Sequence, residues 1–243
     1  MSGVLLEDLN WMEAERALHR DALVVIPLGA AAKEHGPHLR LSNDWTMAEY
    51  FKQRVLQQAD VIVAPTVAYH YYPAFVEYPG SVTLRLETAR DIIVDICSSL
   101  AAFGPRRYYV LNTGVSTVAA LVPDGEALAQ RGITLRYTDI TSVAPAFVPQ
   151  QAGGSHADEV ETSMMLYIAP DRVDMRHAAR DYHPGPGRLT RRRNSGLTYS
   201  ATGIYGDATL ATWGKGRAAV EARIAAILRD LERLRAEPLP RSP

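Results

Sequence analysis

Four short apolar runs constrain this chain more than any other feature: 23–28 (LVVIPL), 60–65 (DVIVAP), 107–112 (RYYVLN) and 133–138 (ITLRYT). Each is rich in branched or aromatic residues, as buried strands are, and stretches with helical periodicity alternate with them along the chain. The helical patterns cover 10–19, 43–59, 87–103, 116–131 and 215–237. Strands alternating with helices in this way predict an α/β fold with a mostly parallel central sheet covered on both faces. A further alternating run, 81–86 (SVTLRL), predicts one more short strand. At 243 residues the chain can build one large α/β domain, and nothing resembles a linker before residue 184. One domain over 1–243 is therefore expected, with 184–203 as a long loop rich in glycine, proline and arginine.

Composition narrows the function classes. A net charge of −1 argues against a nucleic-acid partner held by phosphate electrostatics. No GxGxxG or phosphate loop supports a nucleotide cofactor. The lone cysteine, Cys97, lies in a helical pattern and reads as a small buried apolar residue; one cysteine permits no internal disulfide. The stretch 1–16 has neither a basic leader region nor a sustained apolar segment, so a cytoplasmic protein without a membrane partner is expected.

The chemistry concentrates in two places. The first is 29–44 (GAAAKEHGPHLRLSND), which leaves the carboxyl end of the first long strand and carries Lys33, Glu34, His35, His38 and Asp44. Carboxylate oxygens beside imidazole nitrogens are the donors taken by zinc, manganese or iron. Open α/β sheets bind ligands at that end of their strands. The second is 153–170 (GGSHADEVETSMMLYIAP), where Ser155 and Asp158 form a capping signature that predicts a helix from about His156. His156, Asp158, Glu159 and Glu161 crowd this start, and Asp158 and Glu159 read as dipole complementation on a wet surface. Two lesser features flank these. The loop 66–80 holds four tyrosines, His70 and Phe75, as suits a pocket wall or a subunit contact. The turn Asn112-Thr113-Gly114 lets the backbone approach a ligand, so its amides could hold an oxyanion. Arg188, Arg191, Arg192 and Arg193 read as a solvated basic segment, with a lid or anion clamp as the alternative.

Taken together, EHGPHL with Asp44, FVEYPGSVTL and GSHADEVETSMML resemble the creatininase (creatinine amidohydrolase) family, in the family's order and over most of the length. The resemblance implies a three-layer α/β/α fold, a homo-oligomer (often a hexamer) and hydrolysis of carbon–nitrogen bonds with two divalent metals. It also implies that His35, Asp44 and Glu161 are metal ligands and that His156 is the catalytic histidine. The pattern departs from the family at the other metal. Where the family has a glutamate two residues before the histidine, this chain has Lys33, with Glu34 adjacent. Where the family has Asn-Gly-His, Gly114 stands in place of the histidine, with Ser116 at the polar position two residues on. His70, His38 or a water could substitute. Alternatively one metal suffices and Lys33 supplies the missing positive charge; one ion, or one tight and one weak, ranks above two tight. The tryptophans, Trp11, Trp45 and Trp213, lie away from the family's creatinine pocket, so Tyr69, Tyr71, Tyr72, Phe75 and Tyr78 offer a differently built wall.

The resulting expectation is a metal-dependent hydrolase (zinc or manganese, with iron a further candidate) acting on a small amide, cyclic amide or formamide. Its site comprises His35, Asp44, Glu161 and Glu34 toward metal and His156 as proton carrier. Glu34 either joins the ligands or orients the nucleophilic water, and His70, Tyr71, Gly114, Ser116 and Lys33 face a small-molecule substrate. The competing expectations are a catalytically silent binding or regulatory protein and a metal-dependent lyase or isomerase on the same ligands.

Overall fold

The computed structural model describes residues 3–140 and 146–239. Its centre is a five-stranded sheet of β1 (Val4–Leu5), β2 (Leu23–Leu28), β3 (Ile62–Val63), β4 (Arg107–Asn112) and β5 (Thr134–Tyr137), in the order β1-β3-β2-β4-β5. Every pairing in it is parallel, and β2 and β4 run side by side from Leu23↔Arg107 to Leu28↔Asn112. All six residues of β2 and all six of β4 are buried, which explains why both read as continuous apolar runs and not as alternating ones.

The pleat divides those runs between two cores. Leu23, Val25, Tyr109 and Leu111 face α2 (Asn43–Gln58), α5 (Glu159–Ile168) and α6 (Trp213–Ala236), packing with Phe51, Val55, Met164 and Ile224. Val24, Ile26, Leu28, Tyr108 and Val110 face the other way, onto α3 (Leu86–Ala101) and α4 (Val118–Ala129) through Ile93, Cys97, Leu121 and Leu128. The result is the α/β/α sandwich expected, with Cys97 fully buried. Full burial of each such side chain is worth about 1.5–3 kcal/mol, so the two central strands anchor everything attached to their ends. The short α1 (Trp11–Ala17) is started by a reciprocal capping box between Asn10 and Glu13.

Three expectations are corrected. The run 81–86 is no strand of the sheet; it is extended chain laid on the loops, where Val82 N donates to Ala32 O at 2.9 Å and Leu84 N to His70 O at 2.9 Å. Helix α5 starts at Glu159, three residues later than expected, because the Asp158 carboxylate caps it by accepting from Val160 N and Glu161 N, both at 3.0 Å. The arginine-rich loop contains β7 (Leu189–Thr190) paired in parallel with β8 (Thr198–Tyr199). It is flanked by β6 (Arg180–Asp181) and β9 (Gly206–Asp207), which pair with each other. None of the described helices is long and apolar enough to cross a membrane.

Candidate active site

The loops after β2 and β4 leave adjacent strands at the carboxyl end of the sheet, and the segment before α5 closes over them. At Gly29 the chain turns so tightly against α2 that a Cβ there would meet the Asp44 carbonyl and, at 2.8 Å, the Ala48 methyl. That closeness brings Asp44, fully buried in the first turn of α2, under the loop carrying Lys33, Glu34 and His35, all three buried as well.

His35 is oriented from both sides. Its Nδ1 lies 2.9 Å from the Lys33 carbonyl oxygen, which can only accept, so Nδ1 carries the hydrogen. The other nitrogen, Nε2, faces Asp44 Oδ1 at 2.8 Å and Glu161 Oε1 at 3.5 Å. A lone pair confronting two carboxylates needs a cation among them, either a second proton on the ring or a metal ion. Without metal the ring is protonated: burial alone would lower its pKa, but Asp44 and Glu161 raise it to about 9. Burial works to raise Asp44 as well, yet Lys33 and His35 hold it below the usual carboxylate range. Glu161 is held well below that range, chiefly by His35 against the cost of burial. Asn43 Nδ2 at 3.2 Å and Ala157 N at 2.6 Å donate to the two oxygens of Glu161 and set its plane. Imidazole and carboxylate donors, buried and fixed by neighbouring donors and acceptors, fit a divalent ion such as zinc or manganese.

His156 has the opposite tautomer. It lies just outside α5, in a bridge with Tyr205. Its Nε2 meets the Glu34 carbonyl at 3.0 Å and Glu34 Oε2 at 3.1 Å, both acceptors, so Nε2 carries the hydrogen. Nδ1 is thereby left as a lone pair, 3.7 Å from Glu161 Oε2. The His156 ring packs against that of Phe75, centroids 4.3 Å apart and planes tilted by 41°, and its centroid is 4.9 Å from that of His35. Next to it Ala157, buried and not glycine, holds φ at 49°, a strained conformation kept by the bridge on one side and the Asp158 cap on the other.

These placements sort the expected site residues. His35, His156 and Glu161 form a group whose donor atoms lie within 4.8 Å of one another, and Asp44 joins through its contact with His35. Glu34 turns to His156, with Gly36 N donating to its other oxygen, so its geometry suits orienting the imidazole and not ligating a metal. Burial works to raise its pKa, but His156 and the Gly36 amide lower it overall, so it stays ionised. His38 is spent on Thr162 Oγ1 at 2.8 Å and stays neutral, burial lowering its pKa to about 4.

A cavity of about 350 Å³ opens onto this cluster, with Lys33, His156 and Glu161 at its polar end. Tyr72, Phe75, Leu189 and Tyr205 are among its walls, and Gly185, Gly187 and Thr198 of the arginine-rich loop border it. Gly114 and Ser116 line it as expected. The Gly114 amide, however, already donates to Asn112 Oδ1 at 3.0 Å and is not free for an oxyanion. His70 and Tyr71 do not line the cavity: in this extended stretch alternate residues turn inward, so His70 is wholly buried and Tyr72 takes the wall position instead. Burial pushes His70 down to about 4, which leaves it neutral. The arginines 191–193 are exposed at the tip of their loop, as a solvated segment should be. One contributor carried no signal in the sequence. Gly203, at φ +87°, lies so close to the Glu34 carboxylate that any Cβ would collide with it.

Comparison with known proteins shows the family and the fold. A mycofactocin precursor peptide peptidase of Mycolicibacterium smegmatis is 30% identical over 203 residues, covering 80% of this chain and 78% of that protein. A creatinine amidohydrolase of Pseudomonas putida is 27% identical over 196 residues, covering 71% and 75%. A solved mutant creatininase superimposes with a TM-score of 0.80 at 21% identity, over 97% of this chain and 100% of that one. Similar structures, each with a TM-score of 0.73, include a creatininase in a manganese form, at 21% identity over 97% of this chain and 100% of that one, and a variant of Zn–Zn type, at 22% over 98% and 100%. The sequence model of the creatinine amidohydrolase family matches residues 7–231, and the chain belongs to that family of hydrolases.

Proposed function

We propose that this protein is a metal-dependent hydrolase that cleaves a carbon–nitrogen bond of a small amide, cyclic amide or formamide. One observation carries the reading: His35 Nε2, with its Nδ1 hydrogen committed to Lys33 O, faces carboxylate oxygens of Asp44 and Glu161 at 2.8 and 3.5 Å. Such an arrangement of acceptors is built for a cation. His35, Asp44 and Glu161 would hold the ion, leaving a position open toward the cavity as in catalytic centres. When bound, it would supply Lewis-acid polarisation of an amide carbonyl and lower the pKa of a water toward 7.

The chain's own residues then account for the proton traffic. The Nδ1 lone pair of His156, beside Glu161 at the polar end of the cavity, takes the proton of the attacking water. Glu34, bonded to Nε2–H, holds the tautomer that leaves Nδ1 free and stabilises the imidazolium once formed. The same Nδ1–H is placed to give its proton to the departing nitrogen. Phe75, packed against the ring, keeps it from turning and limits water around it. The activities for which two relatives are named, an amidohydrolase and a peptide peptidase, favour an amide-type bond.

The test is hydrolysis of a panel of amides, cyclic amides, formamides and short peptides by protein reconstituted with zinc or manganese, read beside metal content. Turnover that chelator abolishes and metal restores supports the reading. Tight metal binding with no turnover on any class would favour a binding protein, and no metal uptake would overturn the reading outright.

A further inference from the structure

A carboxylate has two oxygens, and Asp44 uses them on different sides. Oδ1 faces His35 Nε2 and the proposed metal position, whereas Oδ2 is 2.7 Å from Lys33 Nζ. Both partners of that ion pair are buried, with Lys33 5% exposed and Asp44 wholly enclosed. The ammonium is held further by two rings, with Nζ 4.7 Å from the Phe75 centroid and 5.6 Å from that of Tyr72. Those ring faces offer a metal no lone pair. Among the described residues, histidine, cysteine and carboxylate side chains gather in metal-binding fashion in one place, His35, His156 and Glu161. The nearby turn, 112–117, contributes no histidine, cysteine or carboxylate side chain.

We propose that the Lys33 ammonium is a permanent second cation of this centre, occupying the position beyond Asp44 Oδ2, so that each chain binds one divalent ion. The inference rests on the metal-dependent reading above. A fixed ammonium there neutralises the outer half of Asp44 and excludes a second ion by charge and by volume, two charges a few ångströms apart in a buried site repelling strongly. It also lines the cavity, so the substrate meets a positive group whose presence does not depend on metal supply.

Titration of the full-length apoprotein with zinc by calorimetry, with elemental analysis of the loaded protein, tests this on three proteins. The wild-type chain is expected to take up one ion. Lys33→Met keeps the length of the side chain and removes the charge, so it should bind its ion at least about tenfold more tightly. Lys33→Glu replaces the blocking charge by a ligand and should bring uptake to two ions per chain. Two tight ions in the wild type would overturn the role of Lys33 while leaving the metal-dependent reading standing. Unchanged or weaker affinity in Lys33→Met would also overturn it. No uptake by the wild type would instead remove the metal reading on which the inference rests. A Lys33→Glu chain that fails to fold, seen as loss of a cooperative thermal transition, leaves the wild-type stoichiometry and the Lys33→Met affinity to decide.

Discussion

The loops after β2 and β4 leave neighbouring strands at the same, carboxyl, end of the sheet, yet one carries a cluster of buried charged and imidazole side chains and the other none. The first presents Lys33, Glu34 and His35 above Asp44, each buried and each tied to a named partner. The second is knitted to itself: Asn112 spans the turn to Gly114, and Thr117 donates to Asn112 Oδ1 and Gly114 O at 2.7 Å each. A parallel sheet gives both loops the same opportunity, so the lopsidedness resides in side chains and not in topology. On the proposed reading the centre is built from one side, with His35, Asp44 and Glu161 toward the ion and Lys33 on the outer oxygen of Asp44, while 112–117 offers no histidine, cysteine or carboxylate.

Substitutions on the two sides should therefore differ greatly in effect. Asp44→Ala removes the carboxylate shared by His35 and Lys33, and is expected to lose metal together with roughly three orders of magnitude or more in turnover. Turnover and metal content measured on the same preparation check this, and full activity in that variant would break the asymmetry. His156→Ala should keep its metal but lose about 10²–10⁴-fold in kcat, because only the proton carrier is gone. Glu34→Gln leaves one acceptor oxygen for two donors, Gly36 N–H and His156 Nε2–H, and removes the charge beside the ring, and should cost about 10–100-fold in kcat with metal affinity nearly unchanged. A Glu34→Gln variant that loses its metal would return Glu34 to the ligand set.

On the quiet side the expected effects are on stability. Asp124 of α4 is buried beside Arg90, 3.4 Å away, and burial raises its pKa to about 7. Its folded-state pKa lies above the unfolded value of 3.8, so the native state holds the proton more tightly. Its contribution to stability is therefore fully present below about pH 4 and lost as pH rises to about 7. Thermal melts across that window should show this slope in the wild type and lose it in Asp124→Asn. Smallest of all, a Cβ at Gly114 would sit 3.2 Å from Thr117 Cγ2 and 3.4 Å from Tyr72 Cε1, snug but free of a backbone clash. Gly114→Ala should stay within about 0.5 kcal/mol of the wild type by chemical denaturation.

Much of this was legible in the sequence because the relevant signals are local. The continuous apolar runs of β2 and β4 announced a buried parallel sheet, and the density of donors in 29–44 and 153–170 pointed to the segments that bring His35, His156 and Glu161 together. What was not legible depends on contacts between distant segments. Nothing local shows that Glu34 reaches 122 positions along the chain to His156, which decides whether it ligates or orients. Nor does spacing reveal that Asp158 outcompetes Ser155 as the cap of α5, a shift that leaves His156 outside the helix. The alternation of 69–72 placed Tyr72 and not Tyr71 on the cavity, a register held by Leu84 N donating to His70 O and Tyr72 N donating to Thr83 Oγ1. Gly203 illustrates the limit: its role is to leave room for a carboxylate brought there by the fold.

The most direct measurement is anomalous scattering at the zinc edge from crystals of the zinc-loaded protein. The account predicts one strong peak per chain, about 2.0–2.2 Å from His35 Nε2, Asp44 Oδ1 and a Glu161 oxygen, with Lys33 Nζ still against Asp44 Oδ2. No peak among those three residues, or a second peak where the ammonium lies, would contradict it.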